Sequence, residues 1–130
     1  MEIAAIIFVI CFAIAEAQDD AKQIARHERI DHAGQWLFRA GLVFMWCGGV
    51  WLAEDLASAV KVGLLSAPVF SFVFRLSLNT LRGLDPRYVS ESNVYDTVFL
   101  WASRGDVNLA GSIAYAVELL AAMAVIILVP

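Results

Sequence analysis

Four apolar runs, residues 3–17, 36–53, 62–81 and 107–129, occupy most of a chain of 130 residues, more apolar length than one small water-soluble core can bury. The surplus has to face lipid. Hydrophobic residues make up 61% of the sequence and charged residues 17%, and the charged ones crowd into the short stretches between the runs. At about 1.5 Å per residue the fourth run reaches roughly 35 Å and the third about 30 Å, against a hydrocarbon core of about 30 Å. The first two reach about 22 to 27 Å and need their flanks to complete a crossing. Backbone polar groups in lipid must be satisfied within the segment or in a closed barrel. Phe70, Phe72, Phe74, Leu76 and Leu78 do alternate as a strand would, but no other run repeats that period, so a barrel is set aside. The expected fold is an all-α integral membrane protein: one membrane domain over residues 1–130, four transmembrane helices, a charged cytoplasmic connection at 18–35, and a second connection at 82–106 carrying a short interfacial helix.

Charge sets the expected orientation. Of nine Lys and Arg, Lys22, Arg26, Arg29 and Arg39 belong to the first connection or its edge and Arg75, Arg82, Arg87 and Arg104 to the second, leaving Lys61 alone on the other side. The positive-inside rule then places both connections in the cytoplasm and both termini outside it, in a bacterial inner membrane or a virion or host membrane. Ala15-Glu16-Ala17 fits a signal-peptide cleavage pattern, but no positive residue precedes the apolar stretch. The net charge of −4, with basic residues interleaved among acids, argues against a nucleic-acid partner.

The second run keeps small pairs in step: Ala33-Gly34, Ala40-Gly41 and Cys47-Gly48 recur every seven residues. Lipid tails give helices no hydrophobic reason to associate, so association depends on close contact, and small side chains permit it. Ala40, Gly41, Cys47 and Gly48 are therefore expected to form a packing seam, within one subunit or between subunits. Trp36 and Trp51 are expected at the two headgroup regions, and Arg39 snorkelling to the nearer one. Cys11 and Cys47 are read as small packing residues in preference to a disulfide.

Glu118 lies near the middle of the fourth run, where eleven Val, Leu and Ile residues contribute about −3 to −6 kcal/mol to insertion against about +2.5 to +3.5 for the charge. A helical period puts Gly111, Ala114, Tyr115, Ala121 and Ala122 on its side, so the carboxyl faces a neighbouring helix or a wet cavity. Ser71, Arg75, Asn79 and Arg82 share one stripe of the third run, and Arg75 is the candidate partner of Glu118. Pro68 removes a backbone donor and frees the carbonyl of Leu64.

In the first connection Asp20, Ile24, His27 and Asp31 share a helical face, read as a solvated extension of the first span in preference to a metal site. In the second, Asn93 is the expected N-cap of a short helix with Val98, Phe99 or Leu100, and Trp101 toward the apolar side and Gly105 as its stop. No Ser/His/Asp set and no Gly-rich phosphate loop is present, which argues against an enzyme, and no cofactor is implied. The expected partners are the lipid bilayer and other membrane helices, of this chain or of a larger complex. The expected role is a structural or accessory membrane subunit packing through small-residue faces. The alternative is a homo-oligomeric channel or pore subunit, proton- or ion-conducting or holin-like, that uses Glu118; against the holin form stands the apolar end "ILVP" where a charged tail is usual.

Overall fold

The computed structural model describes residues 2–28, 32–90 and 94–129, and these form five helices: α1 Glu2–Ala25, α2 His32–Ala53, α3 Leu56–Leu81, α4 Val94–Ala102 and α5 Val107–Leu128. Among the described residues there is no strand. Three stretches are long and apolar enough to cross a membrane, Gly34–Ala53, Leu56–Leu81 and Val107–Leu128. The protein is thus an all-helical membrane protein, but the expectation of four such spans is met only in three. The apolar part of α1 ends at Ala15, and Glu16, Asp19, Asp20 and Lys22 follow within the same continuous helix. The expected positions Asp31, Asn93 and the side chain of Ala33 lie outside the described residues.

Helix α3 is the hub. Helices α1, α2 and α5 each pack along it, while α4 packs on α5. On α1 the buried positions are Ala5, Val9, Ala13, Ala17 and Asp20, a stripe at helical spacing made mostly of small residues. Close approach follows, and Ala5 joins Val50 of α2 and Ala59 and Val62 of α3 in one apolar cluster. Glu2 pairs with Lys61 at 3.8 Å near the starts of α1 and α3, and the rings of Phe12 and Phe70 lie 5.7 Å apart further along, so the two helices run parallel. Helix α2 runs against them, with Trp46 beside Phe8 and Phe38 beside Phe12. A second apolar cluster, Val89, Phe99, Ala110 and Ala114, binds the 82–90 connection and α4 to α5.

The ends of the helices follow from local chemistry. Asp55 caps α3, accepting from the Ser58 amide at 2.7 Å, and Asp106 caps α5, accepting from the Leu109 amide at 3.0 Å. Helices α1, α3 and α4 end in the same paired turn: Glu28 donates to the Gln23 carbonyl and His27 to Ile24, Leu84 to Asn79 and Gly83 to Thr80, Gly105 to Leu100 and Arg104 to Trp101. The turn needs a left-handed residue, supplied by His27, Gly83 and Arg104 at φ of 57°, 67° and 58°. Helix α4 stops at Ala102, with Gly105 at φ 87° as the second left-handed residue of its turn.

Candidate functional site

The junction of α3 and α5 is held by polar groups. Arg75, buried on α3, sets Nη1 3.3 Å from Glu118 Oε1 on α5 and Nη2 3.2 Å from Asp96 Oδ1 on α4. Ser71 Oγ, one turn before Arg75, donates to the same Glu118 oxygen at 2.6 Å. Asp96 also accepts from the Ser90 amide at 2.9 Å, and the Arg75 guanidinium carbon lies 5.5 Å from the centre of the Tyr115 ring. Glu118 is 2% exposed, so two carboxylates share one guanidinium away from water. The four intramembrane polar candidates, Glu118, Arg75, Tyr115 and Ser71, meet at one place.

Below this cluster the 82–90 connection folds back between α3 and α5 instead of lying free. Asn79 Nδ2 donates to the carbonyls of Pro86 at 3.1 Å and Tyr88 at 2.8 Å, and the Tyr115 hydroxyl donates to the same Pro86 oxygen. Gly111 makes the fit possible: a Cβ there would stand 1.7 Å from the Arg87 carbonyl oxygen. Gly111 thus meets a loop backbone, and Ala114 is buried beside Val89 and Phe99. Ala121 is exposed and Ala122 half-buried.

A second polar group lies between α1 and α2. Arg39 donates to Glu16 Oε2 through Nε at 3.1 Å and Nη2 at 2.9 Å, and Gln35 Nε2 donates to Asp20 Oδ1 at 2.6 Å. The Arg39 guanidinium also lies 4.9 Å from the centre of Phe70 and 5.0 Å from that of Phe74. The expected snorkelling is therefore replaced by an inward turn, because a carboxylate and two aromatic faces stand within reach.

The heptad residues of α2 behave differently from one another. Ala40 and Gly41 are exposed, and a Cβ on Gly41 or Gly48 would meet nothing within 4 Å. Cys47 approaches another helix, its Sγ 3.2 Å from where a Cβ of Gly63 would stand, so the close approach of α2 to α3 rests on Gly63. On α4 and in the turn after it, Asp96, Phe99 and Ser103 turn inward while Val98 and Trp101 stay exposed. Asp96 was missed because it falls in the first turn of a short helix, where a carboxylate is ordinary, and its partner Arg75 sits 21 positions away; its i, i+3, i+7 spacing with Phe99 and Ser103 was the available signal. Glu16 was missed because its partner sits 23 positions away. Among the described residues no three His, Cys, Asp or Glu side chains converge on a metal-sized space.

Between α2 and α5, floored by α3 and backed by α1, runs an open cleft of about 1000 Å³. It extends along α3 from Gly63 to Arg82, and Arg39, Arg75, Asp96 and Glu118 all border it. Comparison of the chain with protein-family models, with curated proteins and with solved structures finds no match.

Proposed function

We propose that this protein is a structural or accessory subunit of a membrane assembly, crossing the bilayer four times through α1, α2, α3 and α5. The alternation of direction supports four crossings: α1 runs parallel to α3, and α2 antiparallel to α1. Ser71 and Phe72 of α3 meet Glu118 and Tyr115 of α5 in the order that antiparallel packing requires. In this reading the charged second half of α1 and the connections at 18–35 and 82–106 face the cytoplasm, and both termini lie outside it, in a bacterial inner membrane or a virion or host membrane.

One observation carries the role. Glu118, the mid-span carboxylate, is held by Arg75 and Ser71 of its own chain, which supports its reading as a staple of α3 to α5 over one as a site for a transported ion. Helix α2, in contrast, keeps Ala40, Gly41 and Gly48 open to a neighbour. That open face supports other membrane helices, of a second copy or of a larger complex, as the partners alongside the lipid bilayer, in a role without nucleic acid or a catalytic step.

A homo-oligomeric channel or pore subunit is the second reading, favoured by the cleft, whose walls include Glu118, Arg75 and Arg39. The mass of the purified chain in mild detergent and in native lipid separates the two. A monomer, or capture with a larger complex, supports the accessory reading; a closed homo-oligomer whose vesicle flux is lost in Glu118→Gln supports the pore and overturns it.

A further inference from the structure

We infer that the cleft along α3 is a binding site for one anionic glycerophospholipid, with its acyl chains toward the Gly63 end and its phosphate at Arg82. The inference rests on the chain's residence in a bilayer and not on its role as an accessory subunit.

Shape restricts the occupant first. Gly63 and Arg82 both border the cleft and are separated by about 28 Å of helical rise, so the cleft is long, narrow and open along one side. Extended hydrocarbon chains fit such a cleft lengthwise, and the acyl chains of one lipid, covering one leaflet or about half of a hydrocarbon core of about 30 Å, reach from near the Arg82 end into its apolar part.

Polarity runs along the cleft in the sense an amphiphile needs. Toward the Gly63 end the walls are Phe8, Trp46, Pro68 and Phe70; toward the other end they become Gln35, Asn79, Arg82 and Tyr88. Charge selects the head. Arg75 is committed to Asp96 and Glu118, and Arg39 to Glu16, whereas Arg82 lies 5.9 Å over the Tyr88 ring and enters no ion pair among the described residues. Arg82 is exposed at the cleft's mouth, two helical turns beyond Arg75, where a lipid phosphate would sit when the tails fill the apolar half.

The test uses the full chain in detergent micelles, exchanged against equal amounts of phosphatidylglycerol and phosphatidylcholine of identical acyl chains, with adducts read by native mass spectrometry. The expected result is a single retained lipid per chain, with phosphatidylglycerol favoured roughly fivefold, the scale of one basic residue meeting an anionic lipid. Arg82→Gln, at an exposed helix end, is expected to erase the preference while lipid is still retained. Ala67→Phe, which fills the apolar half, is expected to lower retention of both lipids, and Leu119→Phe, outside the cleft, to change neither. Equal retention of the two lipids by the unmodified chain, or an unchanged preference in Arg82→Gln, overturns the inference. So does a lipid-free dimer abolished by Ala67→Phe, which would give the cleft to a second copy. Should Ala67→Phe fail to fold, Arg82→Gln decides alone. The same spectra report oligomer mass, so failure of the accessory reading is seen separately.

Discussion

Arg75 Nη1 stands 3.3 Å from Glu118 Oε1, and Nη2 of the same guanidinium stands 3.2 Å from Asp96 Oδ1, so one α3 side chain ties together α4 and α5. The arrangement is asymmetric. Removing Glu118 leaves Arg75 neutralised by Asp96, whereas removing Arg75 leaves two buried carboxylates facing each other. Glu118→Gln is therefore expected to cost about 0.6–2 kcal/mol, the scale of a polar contact between membrane helices. Arg75→Leu is expected to cost about 3–5 kcal/mol, the scale of a broken buried pair. Thermal unfolding of both variants in one detergent checks the order, and equal losses would refute the shared-cation reading.

The glycines separate folding from assembly. Gly111→Ala drives a Cβ into the Arg87 carbonyl and is expected to destabilise the chain by about 1–3 kcal/mol, as overpacking does. Gly41→Leu and Gly48→Leu meet open space within the chain, so the monomer should fold normally. Any loss is then expected in the yield or mass of the assembly, measured by native mass spectrometry. Misfolded monomers of both α2 variants would show that this face is not an outer surface.

Asn79 and Tyr115 hold the Pro86 carbonyl from two sides. Tyr115→Phe deletes one hydrogen bond, worth about 1 kcal/mol, and Asn79→Leu deletes the bonds to both Pro86 and Tyr88. Faster amide hydrogen exchange over residues 86–90 is expected in each, larger for Asn79→Leu. Unchanged protection would mean that the connection is held by Val89 packing alone.

Topology has a direct test. Single-cysteine labelling in intact membranes is expected to place Arg26 and Arg87 on one side and Asp55 on the other. Arg26 and Arg87 found on opposite sides would exclude an even number of crossings between them, so α2 and α3 could not both span.

Asp55 supplies the pH dependence. The Ser58 amide holds its carboxyl below the usual carboxylate value, so its contribution is fully present above the unfolded value and fades as pH falls through the lowered, folded one. Asp55→Asn keeps an acceptor at every pH. The stability difference between the two proteins should therefore shift in favour of Asn in acid and be flat above about pH 6.

The sequence was most readable where physics is local. Apolar run length set the ends of three spans to within two residues, except the start of α3, which lies six residues earlier than expected, at Leu56 behind its Asp55 cap. The stripe of Ser71, Arg75 and Asn79 and the face of Glu118 and Tyr115 followed from helical period alone. The seam of α2 was legible as a small-residue pattern but not as a contact, since a period says which residues share a face and not what meets it. The small face that does pack inside the chain is on α1, at Ala5, Ala13 and Ala17, where the residues alternate with equally unremarkable aliphatics.

The order of residues alone was enough for the class of the protein, its long apolar helices and the residues that could not face lipid without a partner. Packing chose among the partners: Arg39 turns to Glu16, Arg75 divides itself between Glu118 and Asp96, and Gly111 admits a loop carbonyl instead of a helix. The physical reason is one of range. Hydropathy, helical period and capping act over a few residues and are written in the order of the chain, whereas an ion pair across 43 positions forms only when the packing of α3 on α5 has brought both groups out of water together.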